Sequence, residues 1–314
     1  MTEPRPVHLL LGPQRPTINL VDTVAALRIS NGPIAVISAG MQEAEGDIGH
    51  VQEAVGLPLS DLHLYHRAQK AFQEDTRLRE AYRQRQEHLK DQQRLYRLRL
   101  KQLAIAARTL LAASGEADML AAEQRHAIAQ LRALDRHHLQ RTETLHDHFE
   151  QEFGAEIQAA LGRHVDEIRE VVDSCQAILI TGGNVAILLD RLRLFGMTRL
   201  LRQKPVVAWS AGAMALAERV VLFHDRTPQG RRDPEVLGAG CGLLPGFVFL
   251  PDARHRLLVK NRNRIELFCR RFSPELCVAL DSGSALQFEG ARITAAEAVR
   301  HLKRDGRLSK LRVS

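Results

Sequence analysis

The chain has 314 residues, 45% of them hydrophobic and 4% aromatic, and a formal net charge of +7 at pH 7. This length and apolar content are those of a globular protein with a sizeable core. No stretch approaches the ~20 apolar residues that cross a bilayer, and the first residues lack the basic and then apolar pattern of a secretory leader. We therefore expect a cytoplasmic protein without membrane contact. Its four cysteines show no Cys-x-x-Cys spacing, so we expect buried thiols rather than disulfides or zinc ligands.

Strand-like and helix-like segments alternate from the N-terminus to about Leu64, and they resume at about Val171. The first strands fall around residues 9–12 and 34–38. Such alternation is typical of a doubly wound, mostly parallel sheet with helices on its faces. The sequence therefore predicts an α/β domain made of residues 1–65 and 166–314, with an insertion over residues 66–165.

The insertion contains no proline and is rich in Gln, Arg, Glu, Leu and Ala, which are strong helix formers. Apolar residues at spacings of three and four run from Leu78 to Leu110, and a second stripe runs from Ile128 to Phe149 after a break at Gly115. The pattern predicts a coiled-coil-like hairpin of two antiparallel helices, each roughly 50 Å or more in length. We expect the hairpin to project from the α/β domain or to pack against a second subunit in a homodimer.

Much of the net charge lies on the first arm of this hairpin, where residues 77–108 include ten Arg or Lys and three acidic residues. Such a face can attract a protein or an anionic polymer, or it can be a solvated helix face with weak salt bridges. Few aromatic residues are available to stack on bases, which weakens a nucleic-acid role. His146 and His148 on the second arm fall on different sides of a helix, so we predict no metal site.

A glycine pair follows the apolar strand over residues 177–180, in the sequence Thr181-Gly-Gly-Asn184, and a helical pattern comes next. Glycines at the carboxyl end of a strand let backbone N–H groups face a ligand, because no Cβ atom is in the way. Ligands gather at that edge of an open α/β sheet. Alone, the pair indicates a tight turn. Beside a nucleophile, it could supply an oxyanion hole.

The next strand, over residues 204–208, leads into Trp209-Ser210-Ala-Gly-Ala213 and then into a helical pattern. A serine flanked by small residues at a strand-to-helix turn is typical of a nucleophile elbow, where bulky neighbours would clash. Ala208 stands at the first glycine position of the Gly-x-Ser-x-Gly pattern. The helix would aim its amide dipoles at the charge that develops during acyl transfer. The alternative is an ordinary strand–turn–helix with a small residue at the cap.

These two turns, together with Gly-Leu-Leu-Pro-Gly at 242–246 and Ala-Leu-Asp-Ser-Gly-Ser-Ala-Leu at 279–286, give residues 170–290 a resemblance to a known family. The segment resembles the peptidase E and cyanophycinase family of serine peptidases, whose fold is similar to that of class I glutamine amidotransferases. Those amidotransferases use a cysteine nucleophile where this chain has serine, so we do not expect glutamine hydrolysis. The resemblance implies that Ser210 is the nucleophile and that the backbone N–H groups of Gly183 and Ala211 hold the oxyanion. No cofactor is expected.

The resemblance also implies a histidine base shortly after the Leu-Pro-Gly stretch, where the sequence offers His255. For the acid that orients this base, the chain departs from the family, because Ser282 occupies the position of the family's glutamate. The candidates are Asp281, next to that position, and Asp225, fifteen residues after Ser210. A base without an acid that holds its tautomer is poorer by several orders of magnitude.

Two functions remain. The first is a serine peptidase that acts on aspartyl-containing peptides, because the family cleaves beside aspartyl residues and arginine binds carboxylates in bidentate fashion. The second is a catalytically degenerate family member that acts as an interaction module through its basic arms. The departure at Ser282 favours the second function, and the intact elbow favours the first, which we take as the prediction. The residues expected to bind the peptide are Gly182, Asn184, Arg254, Arg262 and Arg264, although these arginines could equally be surface charge or form salt bridges in a dimer.

Overall fold

The computed structural model describes residues 6–22, 27, 29, 32–225 and 232–313. The strands are β1 (Val7–Leu11), β2 (Ile34–Ile37), β3 (Leu59–Asp61), β4 (Ala177–Ile180), β5 (Val206–Trp209), β6 (Arg219–Leu222), β7 (Glu235–Ala239), β8 (Phe247–Pro251), β9 (Leu276–Leu280), β10 (Ala285–Glu289), β11 (Arg292–Glu297), β12 (Arg300–Leu302) and β13 (Leu308–Lys310). The α-helices are α1 (Gly49–Val55), α2 (Leu64–Glu74), α3 (Thr76–Ala112), α4 (Ala117–Ser174), α5 (Val185–Leu194), α6 (Met197–Leu201), α7 (Ala211–Ala215), α8 (Ala253–Arg256) and α9 (Arg262–Phe272). A 3-10 helix covers Ala39–Ala44.

The central sheet has seven strands in the order β11-β10-β1-β5-β4-β2-β3. The five strands from β1 to β3 in that order are parallel, and β10 and β11 add an antiparallel edge. Every residue of β2, β4 and β5 is buried, because these short apolar strands are covered on both faces. The chain therefore has the α/β fold with a mostly parallel sheet that the sequence predicted. The carboxyl ends of β4 and β5 lie side by side at one edge of this sheet.

Two smaller sheets flank that edge. One has the order β13-β12-β9-β8, in which β8 and β9 are parallel, and the other is the antiparallel pair β6 and β7. β6 begins shortly after the helix that follows β5, and the chain rejoins the central sheet at β10. Leu222 of β6, Glu235 of β7 and Pro251 of β8 line one cavity together with Ser210, which follows β5.

The two longest helices, α3 and α4, have 37 and 58 residues, which correspond to about 55 and 85 Å. Their contacts show that they run antiparallel. The Tyr82 ring lies near Phe149, with centroids 6.3 Å apart, and the Tyr96 hydroxyl donates to Asp135 Oδ1 at 2.8 Å. Near the connection, the Gln124 side chain donates to a backbone carbonyl of α3. The second helix continues past residue 165 to Ser174 and leads into β4.

The two long helices lie along the α/β body of the same chain, which the sequence analysis did not anticipate. Arg85 of α3 interrupts the apolar stripe, yet it is buried over the Tyr82 and Phe149 rings and bonds to Asp190 of α5 at 2.7 Å. Farther along, Arg97 bonds to Glu235 of β7. Arg85 thus interrupts the stripe because its partner is on the body.

The four cysteines are buried and free. None of the described helices is long and apolar enough to cross a membrane.

Candidate active site

Ser210 lies between the end of β5 and the start of α7, with φ +52° and ψ −118°. A positive φ is unusual for a residue with a side chain, and holding one costs on the order of 1–3 kcal/mol. Such strain persists only where the surrounding structure enforces it, and it is the conformation expected at a nucleophile elbow.

Two glycines allow the backbone to pack closely around this serine. A Cβ atom on Gly212 would lie 2.5 Å from the carbonyl oxygen of Ile180 in β4, and Gly212 N donates to Thr181 O at 3.1 Å. A Cβ atom on Gly182 would lie 3.0 Å from the Ser210 Cβ. Side chains at these positions would push the elbow away from β4 or crowd the Ser210 hydroxyl.

The Gly182–Gly183 turn at the end of β4 is fixed by contacts with the segment after β2. Gly183 has φ +111°, and a Cβ atom there would lie 2.2 Å from the Gly40 carbonyl oxygen. Asn184 N donates to the same oxygen at 2.7 Å. The Asn184 side chain caps α5 by accepting from Ala186 N. This side chain, which the sequence assigned to substrate binding, is thus used in fixing the turn.

A cavity of about 460 Å³ opens at this edge, a volume within the range of small-ligand sites. Gly183, Ser210 and Ala211 line it together, so the predicted nucleophile and both predicted oxyanion donors share one space. We call these three residues the strand-end part of the cavity. Charged and titratable side chains line it as well, and we call them the charged part: Arg97, His224, Arg232, Asp233, Glu235 and Arg256.

The predicted base, His255, is not among the residues that line the cavity, although its neighbour Arg256 is. Its side chain is 76% exposed, and its Nδ1 is 2.5 Å from Asp252 Oδ1. Among the described residues that line the cavity, the histidine is His224, just after β6. Sequence reasoning missed His224 because it followed the order of the resembled family, in which the base comes after the Leu-Pro-Gly stretch. The available signal was its place directly before Asp225, one of the two candidate acids.

The two candidate acids both have arginine partners. Asp225 is buried, accepts from Leu258 N at 2.8 Å and is ion-paired with Arg264. Asp281 is buried at the end of β9, where it accepts from Arg254 N and from Arg300 Nη2 at 2.7 Å. The bond between His255 and Asp252 therefore differs from either pairing that the sequence suggested.

The arginines of the cavity also differ from those predicted to bind substrate. Arg264 is buried, and its guanidinium is held by Asp225 and by the Arg232 carbonyl oxygen. Arg254 and Arg262 are exposed outside the cavity lining. The cavity arginines are Arg97, Arg232 and Arg256. Arg97 comes from α3, so the long helix supplies part of the cavity wall.

Comparison with known proteins identifies the family of this chain. Among solved structures, a peptidase from an acI-B1 Actinobacterium is similar over 98% of this chain and 98% of that chain, with 12% identity and a TM-score of 0.44. A protein assigned to peptidase E from Listeria monocytogenes EGD-e is similar over 95% of this chain and 100% of that chain, with 11% identity and a TM-score of 0.43. No curated protein matches the sequence. The sequence profile of peptidase family S51 matches residues 132–296, which is more than half of the chain, and the protein therefore belongs to peptidase family S51.

Proposed function

We propose that this peptidase is a serine-type enzyme that hydrolyses small aspartyl-containing peptides, with Ser210 Oγ as the nucleophile. The observation that carries the proposal is the strained Ser210 backbone, at φ +52°, in a cavity that Gly183 and Ala211 also line. A positive φ at a non-glycine residue costs stability, so its presence at a serine in a cavity favours a chemical role.

The reaction follows the acyl-transfer scheme. Ser210 Oγ attacks the scissile carbonyl carbon while a base accepts the hydroxyl proton, and the N–H groups of Gly183 and Ala211 stabilise the oxyanion. The tetrahedral intermediate collapses, and the base returns the proton to the leaving amine. Water then attacks the acyl-enzyme carbonyl carbon while the base accepts its proton, and the base returns this proton to Ser210 Oγ as the ester bond breaks and the free acid leaves.

Two histidines compete for the role of base. His255 has the place that the family resemblance implies, but it is exposed and bonded to Asp252. His224 lines the cavity together with Ser210. A general base must come within hydrogen-bond reach of the hydroxyl, and the shared cavity therefore favours His224.

The charged part of the cavity supports an acidic substrate. A guanidinium binds a carboxylate through two parallel N–H···O bonds, which gives orientation as well as energy. Arg97 is already bonded to Glu235 at 2.6 Å. Arg256, from α8, lines the cavity together with Pro251 at the end of β8. We assign to Arg256 the recognition of an aspartyl carboxylate.

The test is a comparison of dipeptides that differ at one side chain. The purified protein is assayed with Asp-Leu, Asn-Leu, Ala-Leu and Lys-Leu, and a Ser210→Ala variant serves as the blank. The proposal expects release of free leucine from Asp-Leu, with a kcat/KM well above that for the isosteric Asn-Leu. Hydrolysis no faster than in the blank for all four would overturn the peptidase assignment, and equal hydrolysis of Asp-Leu and Asn-Leu would overturn the aspartyl preference alone.

A further inference from the structure

Three side chains that can bind a metal converge at the same sheet edge, beside β2 and β3 rather than beside β4 and β5. Glu45 follows the 3-10 helix after β2, and His63 and His66 lie at the start of α2, after β3. One ligating atom from each residue lies within 4.8 Å of the others. The closest pair is Glu45 Oε2 and His66 Nδ1, at 3.1 Å.

Glu45 and the neighbouring Asp61 have buried carboxyl side chains, and their ion-pair partners differ from those of the other buried acids in the described residues. The side chains of Glu45 and Asp61 are 0% and 4% exposed. Their ion-pair partners within the described residues are histidines, His66 for Glu45 and His63 for Asp61. All other acids that are buried in the described ranges pair with arginine: Asp135 with Arg271, Asp225 with Arg264, Glu235 with Arg97 and Asp281 with Arg300.

This difference matters because a buried charge needs a compensating charge or a metal ion. In a chain with 44 Lys and Arg residues, neither of these two carboxylates has a lysine or arginine ion-pair partner within the described residues. Imidazole groups lie beside them instead, and imidazole is the commonest protein ligand of metal ions. A divalent cation bound there would supply the compensating charge.

Backbone groups compensate part of this charge and fix the geometry. Glu45 accepts from Tyr65 N at 2.9 Å and from His66 N at 2.8 Å, at the N-terminus of α2. That helix end contributes roughly half a positive charge, less than the two carboxylates carry. Asp61 accepts from His63 N at 2.8 Å and from the Ser38 hydroxyl. The carboxylates are held in place, and the imidazoles remain half exposed.

We propose that Glu45, His63 and His66 form a binding site for a divalent cation of the Zn²⁺ class. Two imidazoles and one carboxylate are a ligand set that suits Zn²⁺ and leaves a position for water. Donors that each lie about 2 Å from zinc are at most about 4 Å apart, so small rotations of the exposed imidazoles bring the three groups into range. Asp61 Oδ1 lies 3.7 Å from His63 Nδ1, so we assign to Asp61 the role of orienting this imidazole when it binds the ion.

The site is tested on the full chain, after treatment with a chelator, by calorimetric titration with Zn²⁺ and by the visible absorption of added Co²⁺. Four proteins are compared: the wild type, His63→Ala/His66→Ala, Asp61→Asn and His126→Ala/His137→Ala. The last removes two exposed histidines of α4 and so controls for adventitious binding to surface imidazoles. Circular dichroism establishes that each variant is folded.

The proposal expects one equivalent of Zn²⁺ in the wild type and in the α4 control, and loss of that equivalent in His63→Ala/His66→Ala. Asp61→Asn should weaken the affinity by about 10–100-fold, as for other residues that orient a ligand. The absence of stoichiometric binding in the wild type overturns the proposal, and so does binding that the two double variants lose equally. Peptidase activity does not enter the readout, so this result is independent of the proposed function.

Discussion

The strand-end part of the cavity is made by the backbone of two adjacent turns, whereas the charged part is made by side chains from separate segments. Gly183, Ser210 and Ala211 lie at the carboxyl ends of two paired strands, where close packing forces unusual backbone angles. Arg97, His224 and Arg256 come instead from α3, the segment after β6, and α8. The backbone geometry of the strand-end part tolerates few residue types, whereas many combinations of side chains could form the charged part. We therefore expect the strand-end part to determine whether the chemistry occurs and the charged part to determine the substrate.

The largest effect should come from removal of the nucleophile. Ser210→Ala should lower kcat/KM for an aspartyl dipeptide by on the order of 10⁴-fold or more, because no covalent intermediate can form. Steady-state hydrolysis measures it. Ser282→Ala is the matched control, since Ser282 Oγ accepts from Thr17 N away from the cavity lining. Equal losses in both variants would contradict the assignment of Ser210.

A smaller loss should follow distortion of the glycine turn. In Gly183→Ala the new Cβ would meet the Gly40 carbonyl oxygen at 2.2 Å, so the turn and its N–H must move. Loss of one oxyanion donor costs about 10²–10³-fold in kcat. Gly196→Ala is the control, because Gly196 also has a positive φ, +60°, but a Cβ atom there would meet no other atom within 4 Å. It should lose roughly 1–2 kcal/mol of stability and keep its kcat. An unchanged kcat in folded Gly183→Ala would argue against this oxyanion hole.

A still smaller and more selective change is expected in the charged part. Arg256→Ala should reduce kcat/KM for Asp-Leu by about 10–100-fold, the value of a hydrogen-bonded charge pair, with little change for Ala-Leu. The comparison variant is Arg262→Ala, an exposed arginine outside the cavity lining. If both substrates respond equally to Arg256→Ala, the residue has no part in specificity.

A buried charged cluster beside β7 should affect mainly stability, because Arg271, Asp135 and Tyr96 support the backbone around Glu235 but do not themselves line the cavity. Arg271 bonds to Asp135 at 2.6 Å and to the Tyr96 hydroxyl at 2.7 Å, and this joins α9 to both long helices. Burial raises the pKa of Tyr96, so its hydroxyl remains protonated and donates to Asp135. Arg271→Met should lower the free energy of unfolding by about 3–5 kcal/mol, because Asp135 is left unpaired. Urea unfolding measures the loss, with the exposed Arg292→Met as control.

The same contrast explains what the sequence could predict. The parallel sheet, the Ser210 elbow and the Gly182–Gly183 turn could be predicted from local patterns. An apolar strand and the small residues of the turn that follows it lie within about ten residues of one another in the sequence. His224 and Arg97 were not predicted, because they reach the cavity through the packing of β6 and α3.

The long helices and the histidine cluster also show that local sequence patterns do not predict contacts between distant segments. The periodicity predicted both helices, yet the ion-pair partners of Arg85 and Asp135 lie more than one hundred residues away. On the second arm, the spacing of His146 and His148 predicted no metal site. Glu45, His63 and His66 come together through two loops at a sheet edge, which no periodic pattern indicates.

The most direct test of the account is labelling of Ser210 by a fluorophosphonate, compared in the wild type and in Ser210→Ala, His224→Ala and His255→Ala. The account predicts labelling of the wild type that is absent in Ser210→Ala, about 10²–10⁴-fold slower in His224→Ala, and unchanged in His255→Ala. Slow labelling of His255→Ala with normal labelling of His224→Ala would move the base to His255 and leave the nucleophile in place. Wild-type labelling no faster than that of Ser210→Ala would contradict the central claim, because it would show that the strained serine is not activated.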